Sequence, residues 1–166
     1  MSIESINTAS EQDARHSFRQ CCTSERWVEL MVAGRPYHSP AELMVAADNH
    51  WNELSEEDYL QAFDGHPKIG DVGSLKAKYA DTKTLAAGEQ ASVAAATDDT
   101  IHALAQGNSD YENTFGFIFI VCATGKNAAE MLGLLQARLP NDRSTELRNA
   151  AEEQRKIFHI RLEKLL

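Results

Sequence analysis

The segment DGHPKIGD, residues 64–71, holds an imidazole between a glycine and a proline. Pro67 pushes His66 out of helical geometry, and Gly65 and Gly70 let the backbone turn tightly on either side. Histidine titrates nearest to neutral pH, so a ring presented from so stiff a loop suits proton transfer. A plain connector between two helices uses the same residue types, so His66 alone does not decide the matter. Two further side chains raise the same question. At about 100° per residue, Leu147, Ala150, Gln154, Ile157, Phe158, Arg161 and Leu165 share one stripe of the last helix, and Arg161 falls inside that apolar face. A guanidinium there requires a partner, either a carboxylate of the chain or an anionic ligand. Glu89 shares a face with Val93, Ala96, Thr100 and Leu104. The helix dipole favours glutamate in a first turn whatever it faces, yet the three residues together supply an acid/base, a carboxylate and an anion-binding cation.

Other candidates carry less. ATGKNA, residues 123–128, lacks the upstream glycine and the hydroxyl residue of a phosphate-binding loop. The six histidines show no zinc-protease spacing and the three cysteines no Cys-x-x-Cys pair, so no metal site is expected. Cys122, in an apolar run, reads as a small core residue. His50 and Trp51 read as part of a half-buried helix face.

The elements that must position these residues are helical. Ser39, Pro40 and Glu42 form an N-terminal signature for a helix over residues 41–54. Ser55 and Asp58 repeat it for a helix ending at Asp64-Gly65, where glycine suits a left-handed cap. A short helix is expected from Ser74 to Tyr79, an alanine-rich one from Glu89 closing on Gly107, and one from Asn127 to Leu139. The last runs from about Asp142 to the end. One stretch differs: FGFIFIV, residues 115–121, is β-branched and aromatic but has no partner strand, so it is expected as a short extended or irregular piece among helices. The expected fold is all-α, a single-domain helical bundle over residues 1–166.

Composition excludes several classes. With 25 acidic against 16 basic residues, a formal charge of −9 and no basic cluster, nucleic acid is not an expected partner. No apolar run approaches the length of a membrane span, and the N-terminal stretch has no signal core. Three cysteines, two of them adjacent, argue against a disulfide framework and for a reducing, cytoplasmic setting. The final EKLL is not a peroxisomal address.

In this order and spacing, GHPKIGD (65–71), GEQAS (88–92), YENTFGFIFIVCATGKNAAEML (111–132) and EEQRKIFHIRLEKL (152–165) resemble the 2-oxo-4-hydroxy-4-carboxy-5-ureidoimidazoline decarboxylases of urate breakdown. The likeness covers nearly the whole chain. It implies an all-α homodimer that converts this small-molecule substrate to (S)-allantoin with no metal or organic cofactor. It makes His66 and Glu89 the catalytic pair and Arg161 the substrate anchor. Pro67, Ala86, Gly88, Gln90 and the stretch Phe119, Ile120, Val121, Cys122 and Ala123 complete the implied substrate-binding set, with Glu89 also in contact. The chain departs from the family's pattern at Ala86, where serine is frequent, and at Thr114, where a basic residue is frequent. The alternatives are a cofactor-free ureide hydrolase and a non-catalytic helical binding module.

Overall fold

Short polar side chains set the helix starts. Ser2, Ser10, Ser24, Ser39, Ser55 and Asn127 each accept the backbone N–H three residues on, a cap whose loss typically costs about 0.5–2 kcal/mol. The computed structural model describes residues 2–66, 72–80 and 90–166. Among these the elements are α1 (Ile3–Thr8), α2 (Glu11–Cys21), α3 (Glu25–Ala33), α4 (Pro40–Asn52), α5 (Glu56–Asp64), α6 (Val72–Ala80), α7 (Gln90–Phe115), α8 (Ala128–Arg138) and α9 (Arg143–Leu165). The fold is all-α, with no strand among the described residues. Pro67, Gly70, Ala86, Gly88 and Glu89 lie outside the described residues, and Gln90 opens α7.

Several local expectations change in their reasons. The reciprocal box at Ser55 and Asp58 forms. At Ser39 only half of it does, because the Glu42 carboxylate accepts instead from the His38 backbone N–H at 2.7 Å. Helix α7 does not close at Gly107 but runs on to Phe115. Gly107 is there because a Cβ would lie 2.5 Å from Leu135 Cδ2 of α8, so the missing side chain lets the two helices meet. The glycine that does terminate α7 is Gly116, in the left-handed region at φ 83°, its N–H bonded to Glu112 O at 2.8 Å. Phe115, expected in the irregular piece, is the last helical residue, and residues 118–123 carry no regular structure.

The chain groups into two compact units, one of Met1–His66 with Ala150–Leu166, the other of Pro67–Asn149. In the first, Trp27 is fully buried against Phe158, ring centroids 5.1 Å apart, and against Phe18 at 6.2 Å. Trp51 meets Phe158 at 5.5 Å and Tyr59 at 4.7 Å. Both indoles also satisfy their N–H: Trp27 donates to Ala47 O and Trp51 to Ala151 O, each at 3.1 Å. Truncating one buried aromatic of this set is worth about 3–5 kcal/mol.

The second unit is organised around a buried carboxylate. Glu146 is 0% exposed and accepts from Arg138 Nε at 2.7 Å, Tyr111 Oη at 2.6 Å, Asn141 Nδ2 at 2.9 Å and Asn149 Nδ2 at 2.8 Å. Burial alone would raise its pKa, but these hydrogen bonds prevail and hold it below the ordinary value.

Candidate active site

His66 stands at the end of α5, one residue past its C-cap, and its position follows from packing in the first unit. Gly65 is not left-handed: at φ −72° and ψ −12° it continues the right-handed turn. Its lack of a side chain serves a close approach instead, since a Cβ would lie 1.9 Å from Thr23 Oγ1. That hydroxyl donates to the carbonyls of Gln61 and Ala62, at 3.2 and 3.3 Å, and so ties down the last turn of α5. Ala62 and Phe63 bury beneath it, and the His66 N–H bonds back to Phe63 O at 3.1 Å. The imidazole is therefore delivered half-buried from a braced helix end.

Helix α9 supplies the other two groups of this unit. Its fully enclosed line is Glu146, Ala150, Gln154, Phe158 and Leu162, spaced four apart. Gln154 places its carboxamide oxygen on His66 Nε2 in a hydrogen bond, while its own Nε2 is buried without a hydrogen-bond partner among the described residues. Arg161, half-buried on the neighbouring row, donates Nη1 to Cys21 O at 3.3 Å and makes no ion pair among the described residues. Its charge reaches both sides of this spot. The His66 pKa is lowered, chiefly by burial and also by Arg161, against the opposing pull of the Gln154 hydrogen bond. Burial pushes the Cys21 thiol up to about 11, with Arg161 acting in the opposite sense. The result is a neutral, acceptor-capable imidazole near a guanidinium that makes one hydrogen bond among the described residues.

In the second unit the stretch 119–123 is held by cations. Arg138 stacks 4.6 Å from the Phe119 ring centroid and donates Nη1 to Ile120 O at 2.6 Å. Lys126 Nζ donates to Cys122 O at 2.7 Å. Farther back, Arg143 Nε donates to Phe115 O at 3.1 Å. Irregular backbone is thus kept in one conformation by side chains rather than by a ladder, and part of its acceptor capacity is already used. Phe119, Val121 and Ala123 are half-buried, whereas Ile120 and Cys122 are buried. Among the described residues no three His, Cys, Asp or Glu side chains converge in the manner of a metal site. None of the cysteines forms a disulfide.

Sequence reasoning did not assign a role to Gln154 or Arg138. Gln154 left a signal, as a polar residue inside an apolar stripe; Arg138 left none.

An all-α protein with a half-buried histidine of lowered pKa, and an arginine that makes no ion pair among the described residues, defines a class, and comparison places the chain within it. The family model described as OHCU decarboxylase matches residues 7–163, and the chain belongs to that family. It is 36% identical over 149 residues to the "Uric acid degradation bifunctional protein TTL" of Arabidopsis thaliana, covering 89% of this chain and 46% of the relative. It is 22% identical over 166 residues to a 2-oxo-4-hydroxy-4-carboxy-5-ureidoimidazoline decarboxylase of Halalkalicoccus jeotgali, covering 99% and 92%. The chain therefore spans about half of the first relative's length and nearly all of the second's. Among solved structures it resembles a crystal structure of OHCU decarboxylase in the presence of (S)-allantoin. The TM-score is 0.71 and the identity 32%, over 95% of this chain and 98% of the other.

Proposed function

We propose that the chain, acting as one decarboxylase domain, converts 2-oxo-4-hydroxy-4-carboxy-5-ureidoimidazoline to (S)-allantoin without a metal or organic cofactor. The observation that carries this is His66, a half-buried imidazole held neutral, with Arg161 close enough to influence it, in a chain of the OHCU decarboxylase family. The substrate bears a hydroxyl and a carboxylate on one ring carbon. Breaking the bond to the carboxylate releases CO2, and the electron pair moves into the neighbouring C=N. The hydroxyl gives up its proton and becomes the ring carbonyl, while the carbon bearing the ureide gains a proton on one face.

His66 is the proton acceptor in this reading, and Glu89 is the second acid/base group, a role supported by its match to the family motif. Arg161 binds the oxygen functions of the ring. A cation that clamped the departing carboxylate would stabilise the ground state and slow its loss. Pro67, Ala86, Gly88, Gln90 and residues 119–123 are assigned to the substrate contacts on the same ground. The active species is proposed to be a cytoplasmic homodimer.

Substrate generated freshly from urate should be consumed with release of CO2 and yield optically active allantoin, followed by circular dichroism. Racemic product forming no faster than in buffer would overturn the assignment. Release of ammonia or ring opening without CO2 would instead mark a ureide hydrolase, and no turnover a binding module.

A further inference from the structure

Gln154 is completely buried, yet among the described residues only one end of its carboxamide is satisfied. The oxygen meets His66 Nε2 and the amine has no partner among the described residues. An enclosed amide that serves only to hold a fold satisfies both ends, because an orphaned buried donor is costly. Met or Leu would fill this place between Ala150 and Phe158 at lower cost. What the amide does accomplish is chemical. A carbonyl oxygen facing a ring nitrogen requires a hydrogen on that nitrogen, so the neutral imidazole must carry its proton on Nε2 and its lone pair on Nδ1. Among the described residues the ring's hydrogen bond is the one on Nε2.

We propose that Gln154 is a positioning residue: by accepting the Nε2 proton of His66 it fixes the tautomer in which Nδ1 is the basic atom directed to substrate. The inference rests on the decarboxylase reading for what that base does, but the tautomer itself does not depend on it. The same hydrogen bond fixes the ring's rotation. It also stabilises the imidazolium formed when Nδ1 takes a proton, since Nε2 remains a donor in both states.

The test pairs spectroscopy with kinetics. In protein labelled with ¹⁵N at histidine and free of substrate, the His66 signals at neutral pH should report Nε2–H, and Gln154→Met should shift them towards a mixture of tautomers. Gln154→Met should lose at least about tenfold in kcat with KM little changed, while its Tm stays equal or rises because an orphaned donor is gone. In Gln154→Glu the added carboxylate favours imidazolium, so the acid limb of kcat/KM should move to higher pH. Three results would each overturn the proposal: an Nδ1–H tautomer in the wild type, a Gln154→Met protein with normal kcat and pH profile, or one whose loss of activity merely follows a lowered Tm. Should Gln154→Met fail to fold, the wild-type spectrum and the Gln154→Glu profile decide it. Absence of CO2 release from the wild type would instead refute the decarboxylase reading and leave the tautomer measurement standing.

Discussion

On the proposed reading, His66 transfers the proton and Arg161 captures the substrate, and their variants should differ accordingly. Removing a general acid/base typically costs 10²–10⁴-fold in rate. His66→Asn should therefore fall about that far yet remain folded, because the turn is braced by Thr23 and by the backbone bond to Phe63 rather than by the ring. Arg161→Ala should raise KM more than it lowers kcat if the cation holds ground and transition states alike. A second readout separates the two: the proposed base, His66, would work when neutral, and its pKa is lowered in the folded protein. The acid limb of kcat/KM should thus sit below the ordinary histidine value of about 6.5, with a plateau at neutral pH. Arg161 contributes to that lowering, so Arg161→Ala should move the limb to higher pH. A limb that stays in place while KM rises would leave Arg161 a binding role and remove its electrostatic one.

At the level of elements, the end of α5 is the sensitive joint. Gly65→Ala would place a methyl within the Thr23 side chain, and overpacking of this kind costs roughly 1–3 kcal/mol. Urea unfolding should show that loss, and turnover should drop with it because His66 is the next residue. A variant as stable and active as the parent would mean that Thr23 moves aside freely. Gly65 also illustrates where sequence reasoning stops. Glycine at a helix end signals either freedom of φ or lack of bulk, and the local sequence cannot distinguish them. Gly65 ends α5 as expected, though not by a left-handed turn, whereas Gly107 lies within α7, and both prove to be points of close packing. The N-caps at Ser39, Ser55 and Asn127 were legible because their partners lie three residues away, whereas those at Ser2, Ser10 and Ser24 were not singled out; His66 and Arg161 stood out as candidates because their residue types are rare in such settings. Arg138 reaching Ile120 O, 18 residues back, and Gln154 reaching His66, 88 residues back, were not. A polar group's partner across the fold leaves no periodic trace.

On the scale of the whole chain, no metal-ligating constellation is expected from the sequence, and activity should survive dialysis against a strong chelator. Loss that zinc or manganese restores would show that residues outside those described complete a metal site. Sedimentation at several concentrations would test the proposed homodimer. The placement of α9 has a further consequence, for synthesis rather than catalysis. The first unit takes its residues from both ends of the sequence. Trp51 finds its acceptor at Ala151, 100 residues later, and the Cys21 carbonyl meets Arg161 140 residues later. Chains emerge from the ribosome N-terminal end first, at about 5–20 residues per second. Helices α1 to α5 must therefore wait for several seconds, with Trp27 and Trp51 lacking their ring partner Phe158, until the last helix leaves the exit tunnel. For that interval the nascent chain presents apolar surface that a chaperone is equipped to shield.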